Sequence, residues 1–304
     1  MAAAKKLYGY HLITILTVVI WGITFVSTKV LIGYGLSPAA ILFYRFVLAY
    51  VGIWLFAPRM RLFAANWKDE LLCVVAGLTG GSLYFVAENT ALGHTLASNV
   101  SLIVSTTPVF TALLSSLLYK NERLGTSFVY GSLMALAGVA LVVFNGSFIL
   151  QVGPIGDILT LTAALMWAFY GMVVKRLDSR YPVLFITRKV FFYGVVTLLP
   201  VFYFTPLNFN IDTLMQLPVL LNLLFLGVIA SLLCYIMWNT AVKQLGVVRT
   251  TNYVYIIPLI TLFTSAIVID ERITYVALIG SFFILSGVYV AQKGFAGVLH
   301  LFRR

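Results

Sequence analysis

The sequence predicts an all-α integral membrane protein of ten transmembrane helices, arranged as two inverted five-helix repeats with N- and C-termini cytoplasmic. Three observations carry that reading. Apolar runs of about 20 residues recur along the whole chain, each long enough to cross a hydrocarbon core of about 30 Å. The chain is written twice: Asn89-Thr90-Ala91-Leu92 returns as Asn239-Thr240-Ala241-Val242, 150 positions later. The basic residues fall in alternate loops, as topology signals do. Composition agrees, since 62% of the 304 residues are hydrophobic and only 10% are charged, against about 25% charged in a soluble domain.

The apolar runs place spans at about 10–31, 37–57, 70–92, 97–119, 125–145, 155–175, 183–204, 217–240, 248–269 and 274–292. Turn signals separate them: Gly33-Tyr34-Gly35 with Pro38, Ala57-Pro58, Gly93, Gly125, Asn145-Gly146, Pro182, Pro206 and Gly246. The first repeat is expected over 8–146, the second over 153–293, and a cytoplasmic tail over 294–304. Lys5-Lys6 before an apolar stretch imitates a secretory signal. The run Tyr10 to Leu31 is too long for one and no small-residue cleavage site follows, so it is expected to be an uncleaved span.

With the N-terminus inside, the inner segments hold Lys5, Lys6, Arg59, Arg61, Lys68, Lys120, Arg123, Lys175, Arg176, Arg180, Lys243, Arg249, Lys293, Arg303 and Arg304. The outer loops hold only Arg272, while Lys29, Arg45, Arg188 and Lys189 lie within spans. One missed span would scramble this alternation. Further pairs extend the repeat. Pro108 returns as Pro258, Glu122-Arg123 as Glu271-Arg272, Gly131 and Gly138 as Gly280 and Gly287, and Trp21 and Lys29 as Trp167 and Lys175. Five spans per copy is an odd number, so the copies insert upside down relative to one another. That arrangement builds a central site able to face either side of a bilayer.

In order along both copies, these residues resemble the drug/metabolite transporter superfamily, specifically its tandem EamA-type domain. The resembling positions are Trp21-Gly22, Lys29, Pro38, Arg45, Ala91, Ala97, Pro108, Glu122-Arg123, Gly131 and Gly138. The second copy repeats Trp167, Lys175, Arg188, Pro258, Glu271, Gly280 and Gly287. The resemblance implies a ten-helix carrier with a central cavity and alternating access, exporting amino acids or other small metabolites. Relatives carry nucleotide sugars or sugar phosphates, and the resemblance fixes no substrate.

Glu88 breaks the symmetry, since its repeat partner is Trp238. An ionisable group in a span costs about 2.5–3.5 kcal/mol on insertion scales, so it needs a partner or a water-filled cavity. Arg45 lies at similar depth. The pair either locks spans two and three together or serves gating, proton coupling or a substrate amine. Lys29 either snorkels to the headgroups or faces a vestibule beside Arg45. Arg188 and Lys175 are the inverted counterparts, and Lys189 is read as a cytoplasmic anchor. Pro108 and Pro258 are expected to kink spans four and nine, where freed carbonyls are tolerated only beside protein or water. Asn99, Ser101, Ser105, Thr251, Asn252 and Tyr255 on those spans are cavity candidates, as are Tyr84, Asn89, Trp238 and Asn239. Gly77 and Gly81 have the spacing of close helix packing. Gly131, Gly138, Gly280 and Gly287 suggest that spans five and ten pack closely at the back of each copy.

Other classes fit poorly. A formal charge of +11 suggests nucleic acid, but the cations sit singly or in small clusters between apolar runs, so no nucleic acid is expected. Cys73 and Cys234 fall in apolar runs and read as buried free thiols. His11, His94 and His300 are dispersed, no HExxH appears, and a Walker A motif is lacking. No catalytic residue, metal or cofactor is therefore expected. The expected partners are a small-molecule substrate and the lipid bilayer, with proton coupling an open option and a monomer or homodimer as the assembly. The bacterial inner membrane is the expected location. Amino-acid export is the leading reading; the alternatives are a carrier for an organic anion, sugar phosphate or drug-like compound and, remotely, an enzyme or receptor.

Overall fold

The computed structural model describes residues 2–95, 97–119, 125–144, 154–207, 210–268 and 275–301. Every regular element among them is helical. Seven helices are long and apolar enough to cross a membrane, and three shorter apolar ones complete ten. The spans are α1 (Ala2–Gly33), α2 (Pro38–Phe56), α3 (Trp67–His94), α4 (Ala97–Val104 and Thr107–Leu118), α5 (Thr126–Phe144), α6 (Pro154–Leu177), α7 (Val183–Leu198), α8 (Leu217–Leu245), α9 (Val247–Val268) and α10 (Tyr275–Leu301).

Local chemistry sets the ends. Ser37 caps α2, its hydroxyl accepting from the Ala40 amide, and Pro38 occupies the first turn, where a missing N–H costs nothing. Asn66 caps α3 through the Asp69 amide. Gly246 joins α8 to α9 with no loop at all, at φ +85°, a conformation that a side chain would strain.

The packing is that of two inverted halves. Between the copies α1 packs on α8 and α9, and its counterpart α6 packs on α3 and α4. Likewise α2 packs on α8 as α7 does on α3. Span α5 packs directly on α10 across the copies, so these two form one shared pair and not a separate back for each half. The glycines explain it. A Cβ at Gly131 would meet the Gly287 carbonyl oxygen at 2.6 Å, and one at Gly138 would meet the Gly280 carbonyl oxygen at 2.6 Å. Gly131 is the repeat equivalent of Gly280 and Gly138 of Gly287, so the two contacts exchange under a pseudo-two-fold axis. Trp21 and its equivalent Trp167 also meet each other, edge to face at 5.1 Å.

Both copies depart from regular α-helix at matching places. Span α3 widens into a π segment at Leu78–Ser82 and α8 at Phe225–Leu233. Such segments free carbonyls, which must be satisfied at membrane depth. Aromatic donors do this in each copy: Tyr235 donates to the Gly80 carbonyl, and Trp21 Nε1 to the Ala230 carbonyl at 3.0 Å. Span α4 breaks at Ser105-Thr106, and α9 tightens into a 3₁₀ turn over Asn252–Ile256. Pro108 and Pro258 then sit in the first turn of the segments Thr107–Leu118 and Ile257–Val268.

Candidate functional site

The discontinuities in α4 and α9 face a central cavity between the copies. It is lined by Trp21, Thr24 and Phe25 of α1, Arg45 of α2, Tyr84, Phe85 and Glu88 of α3, Val104 and Thr107 of α4, Trp167 of α6, and Val254 and Ile257 of α9. Val104 and Thr107 are the repeat equivalents of Val254 and Ile257, so the pseudo-axis runs through it. At about 30 Å³, it has room for about one water-sized molecule. Anything larger requires the halves to part.

Its polar wall comes from the first copy. Arg45 is 1% exposed. Its Nε donates to Ser231 Oγ at 2.9 Å and its guanidinium carbon lies 4.1 Å over the Phe85 ring. The Ser231 bond is the one hydrogen bond Arg45 makes among the described residues, leaving four of its N–H donors uncommitted. Glu88, also buried, accepts one bond, from Tyr84 OH at 2.6 Å. No ion pair within 4 Å joins Arg45 to Glu88 among the described residues. Aromatic rings complete the lining: Trp21 lies 4.9 Å from Trp238 and Trp167 4.9 Å from Tyr84, both pairs tilted.

Several other singled-out residues lie elsewhere. Arg188 is buried against the loop between α2 and α3, where Nη1 donates to the Met60 carbonyl at 3.1 Å and Nη2 to that of Arg61. Lys175 lies over the Tyr119 ring at 3.8 Å. Lys29 reaches the Thr95 carbonyl at 3.3 Å. Asn239 is bonded at both ends, accepting from Tyr170 OH at 2.7 Å and donating to Thr187 at 3.0 Å. Its equivalent Asn89 donates to the Pro38 carbonyl at 3.2 Å. Ser105 bonds back to the Ser101 carbonyl. Trp238 packs within the aromatic cluster. Asn252 and Tyr255 are buried, and Asn252 Oδ1 lacks a hydrogen-bond partner among the described residues. The side chain of Asn99 and the loop residues Glu122 and Glu271 lie outside the described residues.

Sequence reasoning missed a polar cluster at the basic end. Lys189 is no surface anchor: it is 4% exposed and paired with Glu70. Glu70 also accepts from Tyr193 OH and, at 2.6 Å, from the Ala64 amide. Beside it Asp69 accepts from Arg180, from Tyr181 OH at 2.7 Å and from Asn66. Tyr181 OH in turn accepts from the Ala65 amide at 2.9 Å. All but the bonds from Ala64 and Asn66 tie the first copy to the second. The two carboxylates sit in the first turn of α3, where the helix dipole favours negative charge. The acidic pair Asp69-Glu70 facing Arg180 and Lys189 was the available signal. At the equivalent positions α8 carries Val219 and Leu220. There a cleft of about 300 Å³ opens between Tyr34–Ala40 on one side and Pro206, Asn210, Thr213 and Leu214 on the other. Among the described residues the basic end is thus latched by charge and the opposite end is not.

A bundle of ten spans with an interrupted helix pair on a central cavity defines a membrane transporter. The sequence profile of the EamA-like transporter family matches residues 8–144 and again 154–292, and the chain belongs to that family. It is a multi-pass integral membrane protein of the drug/metabolite transporter type. It is 28% identical over 288 residues to a protein of Archaeoglobus fulgidus described as an uncharacterized transporter, covering 92% of this chain and 96% of the other. It is 26% identical to a probable terminal-alkyne amino-acid exporter of Streptantibioticus cattleyicolor, covering 92% of each. It is 24% identical to a probable amino-acid metabolite efflux pump of Escherichia coli, covering 93% and 94%. A solved crystal structure superposes with a TM-score of 0.73 over 93% of this chain and 95% of its own at 17% identity, a likeness of fold.

Proposed function

We propose that the protein exports a small zwitterion, an amino acid or a close relative, across the bacterial inner membrane by alternating access. The observation that carries this is the under-bonded pair on one wall of the central cavity. Arg45 offers donors to a carboxylate, and Glu88 offers an oxygen to an ammonium. No ion pair within 4 Å joins them among the described residues, although each lies within reach of the other's charge. Buried charges of this kind demand partners, and a zwitterion supplies both. The aromatic wall of Trp21, Trp167, Phe25 and Phe85 suits the substrate's apolar part, and Trp faces also attract an ammonium. Two relatives carry names that concern amino-acid efflux.

Positive-inside topology puts the latched end in the cytoplasm. The present conformation is then closed inward, with the outer cleft as its path of exit. Rocking of one five-helix copy against the other breaks the latch, opens the cavity inward and lets substrate reach Arg45. Glu88 is the group available to exchange a proton when substrate leaves.

Counterflow in proteoliposomes with a labelled amino-acid panel tests the reading. Arg45→Gln and Glu88→Gln are each expected to abolish saturable exchange in folded protein. Loss in Arg45→Gln with full activity in Glu88→Gln would replace the zwitterion by an organic anion.

A further inference from the structure

We infer that the cleft between α3, α4 and α6 at the basic end binds an anionic phospholipid. Its volume is about 530 Å³, and it is lined by Leu72, Leu118, Phe169 and Val173 below a rim of Lys175, Arg176, Ser179 and Arg180. From Phe169 to Arg176 is seven residues, about 10 Å of helix at 1.5 Å per residue. The cleft is therefore an apolar channel of acyl-chain depth capped by three cations.

Charge complementarity selects the occupant. Among the described residues no carboxylate lines the cleft. Two carboxylates among them lie nearby: Asp69, which holds Arg180, and Asp178, which lies within electrostatic reach of Lys243 and Lys175. Among the described residues cations thus outnumber acids where a headgroup would lie. The Arg180 side chain is still 44% exposed while bonded to Asp69, and the Lys175 ammonium is oriented over the Tyr119 ring. A free phosphate would gain nothing from the apolar floor, and a zwitterionic lipid little from the rim. Leu118 and Phe169 are exposed, which leaves the floor open laterally to the acyl region. Basic pockets between spans at the cytoplasmic face suit anionic headgroups. The repeat does not dictate the rim, because Arg176, Ser179 and Arg180 correspond to Val30, Gly33 and Tyr34. Since Arg180 also holds Asp69, a headgroup in the cleft would draw on the latch.

Native mass spectrometry of the full chain, incubated with equal phosphatidylglycerol and phosphatidylcholine of matched acyl length, tests this without reference to any substrate. The expected result is preferential retention of phosphatidylglycerol. In a Lys175→Gln/Arg176→Gln variant the preference should fall about 30-fold, given about 1 kcal/mol per surface cation. Val173→Trp, which fills the floor and leaves every charge, should lower retention of both lipids. Wild-type protein without preference, a double variant retaining it, or displacement of the lipid by millimolar glycerol phosphate would each overturn the inference.

Discussion

Breaking the Lys189–Glu70 pair should open the basic end, and its magnitude follows from burial. The Lys189 side chain is 5% exposed and that of Glu70 11%. Removing one partner of such a pair costs about 3–5 kcal/mol, because the other charge stays buried. Glu70 keeps Tyr193 and the Ala64 amide, so Lys189→Met should sit near 3 kcal/mol. At 1.4 kcal/mol per decade this raises the population of the open form by on the order of 100-fold. Arg180 is 44% exposed, so Arg180→Gln should cost no more than about 1 kcal/mol, a change of about fivefold. Cys73 is a built-in reporter. It is 1% exposed and lies one turn beyond Glu70. Labelling by a water-soluble maleimide, resolved by peptide mass spectrometry, should accelerate at Cys73 in Lys189→Met while Cys234, deeper in α8, stays slow. Unchanged labelling at Cys73 would refute the latch. Equal acceleration at both cysteines would mean that the pair holds the fold and not a gate.

Other consequences are open to direct measurement. Gly287→Ala drives a Cβ to 2.5 Å from the Ala135 amide nitrogen and 2.6 Å from the Gly131 carbonyl oxygen. It should lose about 1–3 kcal/mol by overpacking, read as a lowered Tm in detergent. Trp21→Phe removes the donor to the Ala230 carbonyl and should cost about 1–3 kcal/mol, again read by thermal unfolding. Asn239→Leu should destabilise by a similar amount, since Tyr170 and Thr187 lose their partner. The fraction that folds should keep the wild-type KM. Ser231→Ala releases Arg45 Nε, so substrate KM should rise several-fold, with stability lowered by about 1–3 kcal/mol for the buried donor left unpaired.

The scaffold was legible because its signals are periodic and cumulative: long apolar runs, alternating cations, and pairs such as Trp21/Trp167 and Pro108/Pro258 at offsets of 146 and 150. Trp21 and Trp167 read as a repeat pair, and the structure brings the two together. The π segments were not legible, since Leu78–Ser82 and Phe225–Leu233 read as ordinary apolar helix and the widening becomes visible only through the carbonyls it frees. Depth along a span was readable for Arg45 and Glu88, but rotation about the helix was not. Hence Arg188, read as the inverted counterpart of Arg45, is grouped with it by sequence although it holds the Met60–Arg61 turn. Lys189 was misjudged for a related reason. One residue of sequence swings a side chain by about 100° on a helix, and Glu70 is 119 positions away. Asn239 looked like its equivalent Asn89, yet only tertiary packing supplied Tyr170 and Thr187.

The central claim is that Arg45 and Glu88 bind one zwitterion together. Isothermal titration of purified protein with a panel of amino acids, their amides and their N-acetyl derivatives measures this directly. Arg45→Gln should lose discrimination against the amide, and Glu88→Gln should lose discrimination against the N-acetyl form. Equal tolerance of both modifications by the wild-type protein would contradict it.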